Sequence, residues 1–158
     1  MIRSCRIPPI LNRICDDVIH SAFLVTADGE LLGSSTKKPN PSGLSSNSHE
    51  VAAATATSTS TAIENLGTLI ADIAVDYQRL GEEYIGLDGQ QRSSHKSSLQ
   101  CLLMELELGL VAVSSCGGFD CLVVAIASPN APLGTVKARL QTSALYVQEA
   151  LSPLAENT

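Results

Sequence analysis

The stretch that decides the fold begins Leu99-Gln100-Cys101-Leu102-Leu103-Met104-Glu105-Leu106-Glu107-Leu108-Gly109. It continues Leu110-Val111-Ala112-Val113-Ser114-Ser115, turns at Cys116-Gly117-Gly118 and ends Phe119-Asp120-Cys121-Leu122-Val123-Val124-Ala125-Ile126-Ala127. Three apolar runs separated by short glycine turns predict an antiparallel meander of three strands. In the first, over 99–108, Leu102, Met104 and Leu106 alternate with Cys101, Leu103, Glu105 and Glu107, so one side is greasier than the other. The last is nearly all apolar, which suits a central strand covered on both faces.

Upstream, a first helix is expected over 7–16, where Ile10, Leu11 and Ile14 recur and Pro8 and Pro9 occupy a first turn that tolerates missing N–H groups. Residues 18–26 read as a strand, Asp28-Gly29 as a hairpin turn, and residues 30–34 as the returning strand. From Ser35 to about Thr59 the chain is Ser, Thr, Asn, Pro, Lys and Ala; it is expected to be a disordered insertion, its Ala-rich end from Val51 to Thr57 able to extend the next helix. That helix, over 61–80, carries Ile63, Leu66, Ile70, Ile73 and Tyr77 at steps of 3, 4, 3 and 4, with Leu69 widening the stripe and Gly81 as its stop. Residues 86–98 read as a polar loop. A final helix is expected after Asn130 as N-cap and Pro132 in the first turn, with Leu133, Val136, Leu140, Ala144, Val147 and Leu151 as its stripe and Pro153 as its end.

The order is α-β-β-α-β-β-β-α. It predicts the α+β class: one domain over 1–158, interrupted at about 35–59, with a five-stranded antiparallel sheet between one helix on one face and two on the other. One helix about 10–12 Å across cannot cover five strands spaced roughly 4.8 Å apart. Part of its face is therefore expected to stay open beside the edge formed by 99–108, inviting a second chain.

Composition narrows the function. With 10 Lys and Arg against 16 Asp and Glu, the net charge of −6 leaves too few cations for a phosphate-reading face, and five aromatic residues, none of them Trp, make no stacking platform. Nucleic acid is excluded as a partner. No run approaches the ~18–20 apolar residues of a membrane span, so no direct membrane insertion is expected. Ile2 in place of Gly and a C-terminus without Cys predict no lipid anchor on this sequence. Five cysteines without a CxxC pair read as reduced thiols.

Neither glycine-rich phosphate cradle occurs, and His20, His49 and His95 are scattered, so neither cofactor nor metal site is expected. The sharpest enzymatic alternative pairs Cys116 with His95 or His20 as a nucleophile and base. Cys116, beside Gly117, reads better as a turn residue, and Asp16-Asp17 as solvated carboxylates. Lys137 and Arg139 near the start of the last helix read as solvated cations, compatible with an acidic partner.

In order along the chain, these pieces resemble the Roadblock/dynein light chain fold family, and within it the adaptor subunits of Ragulator. The resemblance is carried by Met1-Ile2-Arg3, by Phe23-Leu24-Val25-Thr26-Ala27-Asp28-Gly29-Glu30-Leu31-Leu32 and by the helix from Ile63 to Arg79. It continues through residues 101–109, Pro132-Leu133-Gly134-Thr135-Val136-Lys137-Ala138-Arg139 and Leu151-Ser152-Pro153-Leu154. The insertion and the longer loop after Gly81 depart from the compact members.

The resemblance implies a noncatalytic scaffold that heterodimerises with a second roadblock-fold subunit through middle helices and third strands. A lipidated membrane-anchoring subunit would hold the assembly on late endosomes and lysosomes, where it would engage Rag-type small GTPases in TOR and MAP kinase signalling. Carried over by position, the partner surface would use Ile63, Leu66, Ile70, Ile73 and Tyr77 with Leu99, Cys101, Leu103 and Glu105. A dynein-type light chain, or a regulator of another small GTPase, is the alternative within the same fold.

Overall fold

The computed structural model describes residues 7–37, 52–87, 99–107, 109–116 and 121–151, with side chains left aside at 52–64 and 85–87. In chain order the elements are α1 (Ile7–Asn12), β1 (Ile19–Thr26), β2 (Leu31–Thr36), α2 (Ala52–Leu87), β3 (Leu102–Leu106), β4 (Gly109–Ser115), β5 (Cys121–Ala127) and α3 (Leu133–Leu151). All five strands pair antiparallel in one sheet, ordered β2-β1-β5-β4-β3. The apolar strand β5 lies at the centre and β3 at an edge, as their sequences require.

Alternation along the strands divides the interior in two. Ala22, Leu24, Leu110, Ala112, Val123 and Ala125 face α1 and α3, meeting Ile7, Leu11, Val136, Leu140 and Val147. Phe23, Val25, Val111, Val113, Leu122 and Val124 face the other way and meet Ile70, Ala71 and Ala74 of α2. The sheet therefore lies between one helix and two.

Small residues let α2 approach closely. A Cβ on Gly67 would lie 3.0 Å from Val25 Cγ1, and one on Gly29 would lie 2.5 Å from the Thr68 Cα. Gly29 also has φ +86°, in the left-handed region the hairpin turn demands. These contacts seat one flank of α2 against β1 and the β1–β2 turn.

The elements differ from expectation mainly at their ends. Helix α1 stops at Asn12 because the chain then tightens, Arg13 and Ile14 donating to the carbonyls of Ile10 and Leu11 three residues back. Asp16 Oδ1 next accepts the N–H groups of Val18 and Ile19, both at 2.8 Å, and launches β1. Asp16 also pairs with Arg139 of α3, so neither is a free surface charge.

Helix α2 runs through Gly81 to Leu87; a glycine with open space around its Cβ position weakens a helix without ending it. At its other end α2 begins at Ala52, and β2 continues to Thr36, so regular structure enters the Ser/Thr-rich stretch from both sides. Residues 38–51 of that expected insertion, residues 88–98 of the expected loop, and Pro153 lie outside the described residues. In α3 the first helical hydrogen bonds go to the Pro132 carbonyl, from Thr135 and Val136, which puts the N-cap at Pro132 rather than Asn130.

Candidate partner interface

The apolar stripe of α2 divides lengthwise. Ile70 is 2% exposed and belongs to the core beneath the helix, while Leu66 and Ile73 are half-buried. Beyond them, Leu69 (57%), Tyr77 (52%), Leu80 (60%) and Tyr84 (76%) stand open. A mismatch of periods adds to this. The run Leu66, Ile70, Ile73, Tyr77, Leu80, Tyr84 steps by 4, 3, 4, 3 and 4, a strict seven-residue repeat. A straight helix has 3.6 residues per turn, so a seven-residue repeat slips about 20° per heptad around it. Ile70 lies over the sheet, and between it and Tyr84 the slip turns the stripe by about 40° toward one flank of α2.

The open flank faces a definite direction. Gly67 and Thr68 lie against β1 and the β1–β2 turn, so the opposite flank, with Leu69, Ile73 and Leu80, looks across β5 toward β4 and β3. On that side of β3, Leu102 and Met104 are half-buried and Leu106 is 57% exposed. Strand β3 pairs only with β4 among the described residues, which leaves its outer row of backbone groups without a strand neighbour. An apolar helix flank, an apolar strip of sheet and an open sheet edge therefore adjoin one another. Such a surface can extend the sheet into a second chain while the helix flank meets another helix.

The nine positions expected at a partner surface do not all share this region. Leu66, Ile70, Ile73, Tyr77 and Leu99 lie on the α2 side, Ile70 beneath the helix and Leu99 against the core cluster there. Cys101 and Leu103 pack toward α1 and α3, on the other side of the sheet, and exposed Glu105 shares their alternation. The Ile63 side chain lies outside the described residues. Leu69 enters the sequence reading only as a widening of the stripe; Leu80 and Tyr84 are absent from it because Gly81 reads as a stop. Carrying the 3-4 spacing past Tyr77 finds both.

Among the described residues, the thiols whose ionisation is perturbed are all shifted away from a reactive thiolate. Cys116 is 1% exposed and sits in the core toward α1 and α3, not at a turn tip. Its hydrogen bond with Cys121, and then burial, push the thiol far above its ordinary range, so it stays protonated. Burial also raises Cys15 and Cys101. His20 is exposed on β1, and His95 lies outside the described residues. Among the described residues no cluster of three or more His, Cys, Asp or Glu could hold a metal ion, and no helix is long and apolar enough to cross a membrane.

No protein-family profile matches the sequence, and no curated protein is significantly similar to it. Solved structures are similar in fold. MglB of Myxococcus xanthus superposes with a TM-score of 0.67 at 16% identity, over 98% of this chain and 93% of that one. A Roadblock/LC7 domain from Streptomyces avermitilis gives 0.65 at 13% identity, over 92% and 97%. The gliding protein MglB of Thermus thermophilus gives 0.63 at 20% identity, over 95% and 91%. Over nearly its whole length, this chain has the roadblock fold.

Proposed function

We propose that the chain is a noncatalytic scaffold subunit that pairs with a second roadblock-fold subunit through the open flank of α2 and the edge strand β3. The observation that carries this reading is the seam of Leu69, Ile73, Tyr77, Leu80 and Tyr84 beside the edge of β3, which no second strand among the described residues pairs. Apolar side chains aligned at seven-residue spacing on a helix gain little from facing water and much from facing another helix.

The finer assignment rests on the resemblance of residues 23–32, 101–109 and 132–139 to the Ragulator subunit called late endosomal/lysosomal adaptor and MAPK and MTOR activator, second subunit. On that reading the pair joins a larger assembly, engages Rag-type small GTPases, and reaches the late endosomal or lysosomal surface through a lipidated partner. It would serve TOR and MAP kinase signalling there. Affinity purification of the tagged chain followed by mass spectrometry tests both levels. A second roadblock-fold subunit together with Rag-type GTPases is the expected recovery. Dynein intermediate chain without a Rag-type GTPase would overturn the finer assignment, and recovery of the chain alone would overturn the scaffold reading.

A further inference from the structure

The flank of the seam carries a charge pattern that bears on the kind of partner it accepts. Asp76 and Glu83 are seven residues apart, so they hold the same position of the repeat, on the solvent side of Tyr77, Leu80 and Tyr84. Leu69 holds that position one heptad earlier. The corresponding positions on the sheet side are Gly67, Ala74 and Gly81. Both acidic side chains are exposed, as are Glu105 and Glu107 at the β3 edge, and none of the four forms an ion pair with another described residue.

Symmetry decides what a second copy would meet. Extending the sheet through β3 onto a copy of itself puts a two-fold axis across the sheet. It makes the two edge strands antiparallel and sets the two α2 helices antiparallel on one face. In an antiparallel helix pair each flank faces the same flank of its partner. With the axis between residues 76 and 83, Asp76 faces Glu83 of the copy and Glu83 faces its Asp76. At neighbouring registers the flank still gathers the carboxylates of both copies, as Glu105 and Glu107 do along the strand seam. Like charges directly opposed at a closing interface suppress that pairing.

We propose that this seam selects an unlike partner whose helix bears Lys or Arg where α2 bears Asp76 and Glu83, and that it rejects a second copy of the chain. The inference rests on the pairing surface proposed above and adds the charge that partner must carry.

A charge-reversed copy of the full chain, Asp76→Lys with Glu83→Lys, supplies the basic flank without knowledge of the natural partner. Both positions are exposed, and circular dichroism checks that the fold is kept. Sedimentation of the wild type, the reversed copy and their equimolar mixture is then compared. The mixture is expected to associate at least tenfold more tightly than either chain alone, and to lose that advantage in high salt. Wild-type self-association as tight as the mixture, and abolished by Leu80→Asp, would overturn the charge selection and leave the pairing surface standing. A mixed complex indifferent to Leu80→Asp would overturn the pairing surface and the inference together.

Discussion

Two aspartate substitutions on one helix should have opposite consequences. Leu80 is 60% exposed and Ile70 is 2% exposed, ten residues apart on α2. Fully burying a leucine side chain stabilises by roughly 1.5–3 kcal/mol, so covering the open part of Leu80 against a partner contributes about 1–2 kcal/mol. Leu80→Asp forfeits that and places an unpaired carboxylate in the seam, at a cost of several kcal/mol more. Together about 4 kcal/mol weakens association by about a thousandfold. In the isolated chain the same substitution changes only an exposed helix position, by roughly 0.5 kcal/mol.

Ile70→Asp acts on folding instead. It removes an isoleucine packed among Phe23, Val25, Val113 and Val124 and leaves a charge between helix and sheet. Truncation alone costs about 2–5 kcal/mol, and the buried charge adds several, against a total stability of about 5–15 kcal/mol. The assays are the urea midpoint of each purified chain and the size of the assembly recovered with it. Leu80→Asp should melt like the wild type and come away from its partner; Ile70→Asp should fail to fold. An assembly unchanged by Leu80→Asp, or an Ile70→Asp chain that folds normally, would refute the division of the stripe into a sheet-facing and a partner-facing part.

Other outcomes follow from the local geometry. Gly81→Ala should raise stability by about 0.5–1 kcal/mol, because the position is helical with open space at its Cβ, whereas Gly29→Ala should lower it by at least ~1 kcal/mol through its positive φ and the approach of Thr68; thermal melting separates the two. Asp16→Ala should cost about 1–3 kcal/mol, since it strands the Val18 and Ile19 N–H groups and the Arg139 guanidinium, while Arg139→Ala should cost less than ~1 kcal/mol; denaturant midpoints read both. Because the Cys116 thiol is held protonated in the fold, only the unfolded chain ionises it as pH passes the ordinary thiol value of 9.0. Its stabilising contribution is complete below that pH and falls above it by up to ~1.4 kcal/mol per unit, a slope that urea titrations should find reduced in Cys116→Ala.

Much of the architecture is legible in residues 99–127, where glycine turns and alternation define a meander and an all-apolar run marks the central strand. The open part of the α2 face is legible too, because it follows from widths: one helix is narrower than five strands. The extent of α2 is not. Gly81 reads as a stop when helix propensity is weighed locally, yet the fold carries the helix through it, and the Ala-rich residues before Thr61 join the same helix. Reading a stop there hides Leu80 and Tyr84. Leu66, Ile70, Ile73 and Tyr77 are legible as one stripe, but spacing alone does not say which of them the chain's own sheet claims. The close seat of Gly67 and Ala71 on the sheet settles that, and it depends on contacts far apart in sequence. The role of Asp16 is hidden for the same reason, since Arg139 is 123 residues away.

The length of α2 has a consequence for how the molecule should melt. Its 36 residues span about 54 Å, roughly twice the ~27 Å of an 8-residue strand. Its N-terminal third carries the run Thr55-Ala56-Thr57-Ser58-Thr59-Ser60-Thr61, in which Thr and Ser have only modest intrinsic helicity. Helical ellipticity should therefore begin to decline at temperatures where the β-sheet signal is still flat. A van't Hoff enthalpy taken from ellipticity alone would then fall below the calorimetric value, even though the core unfolds in a single step.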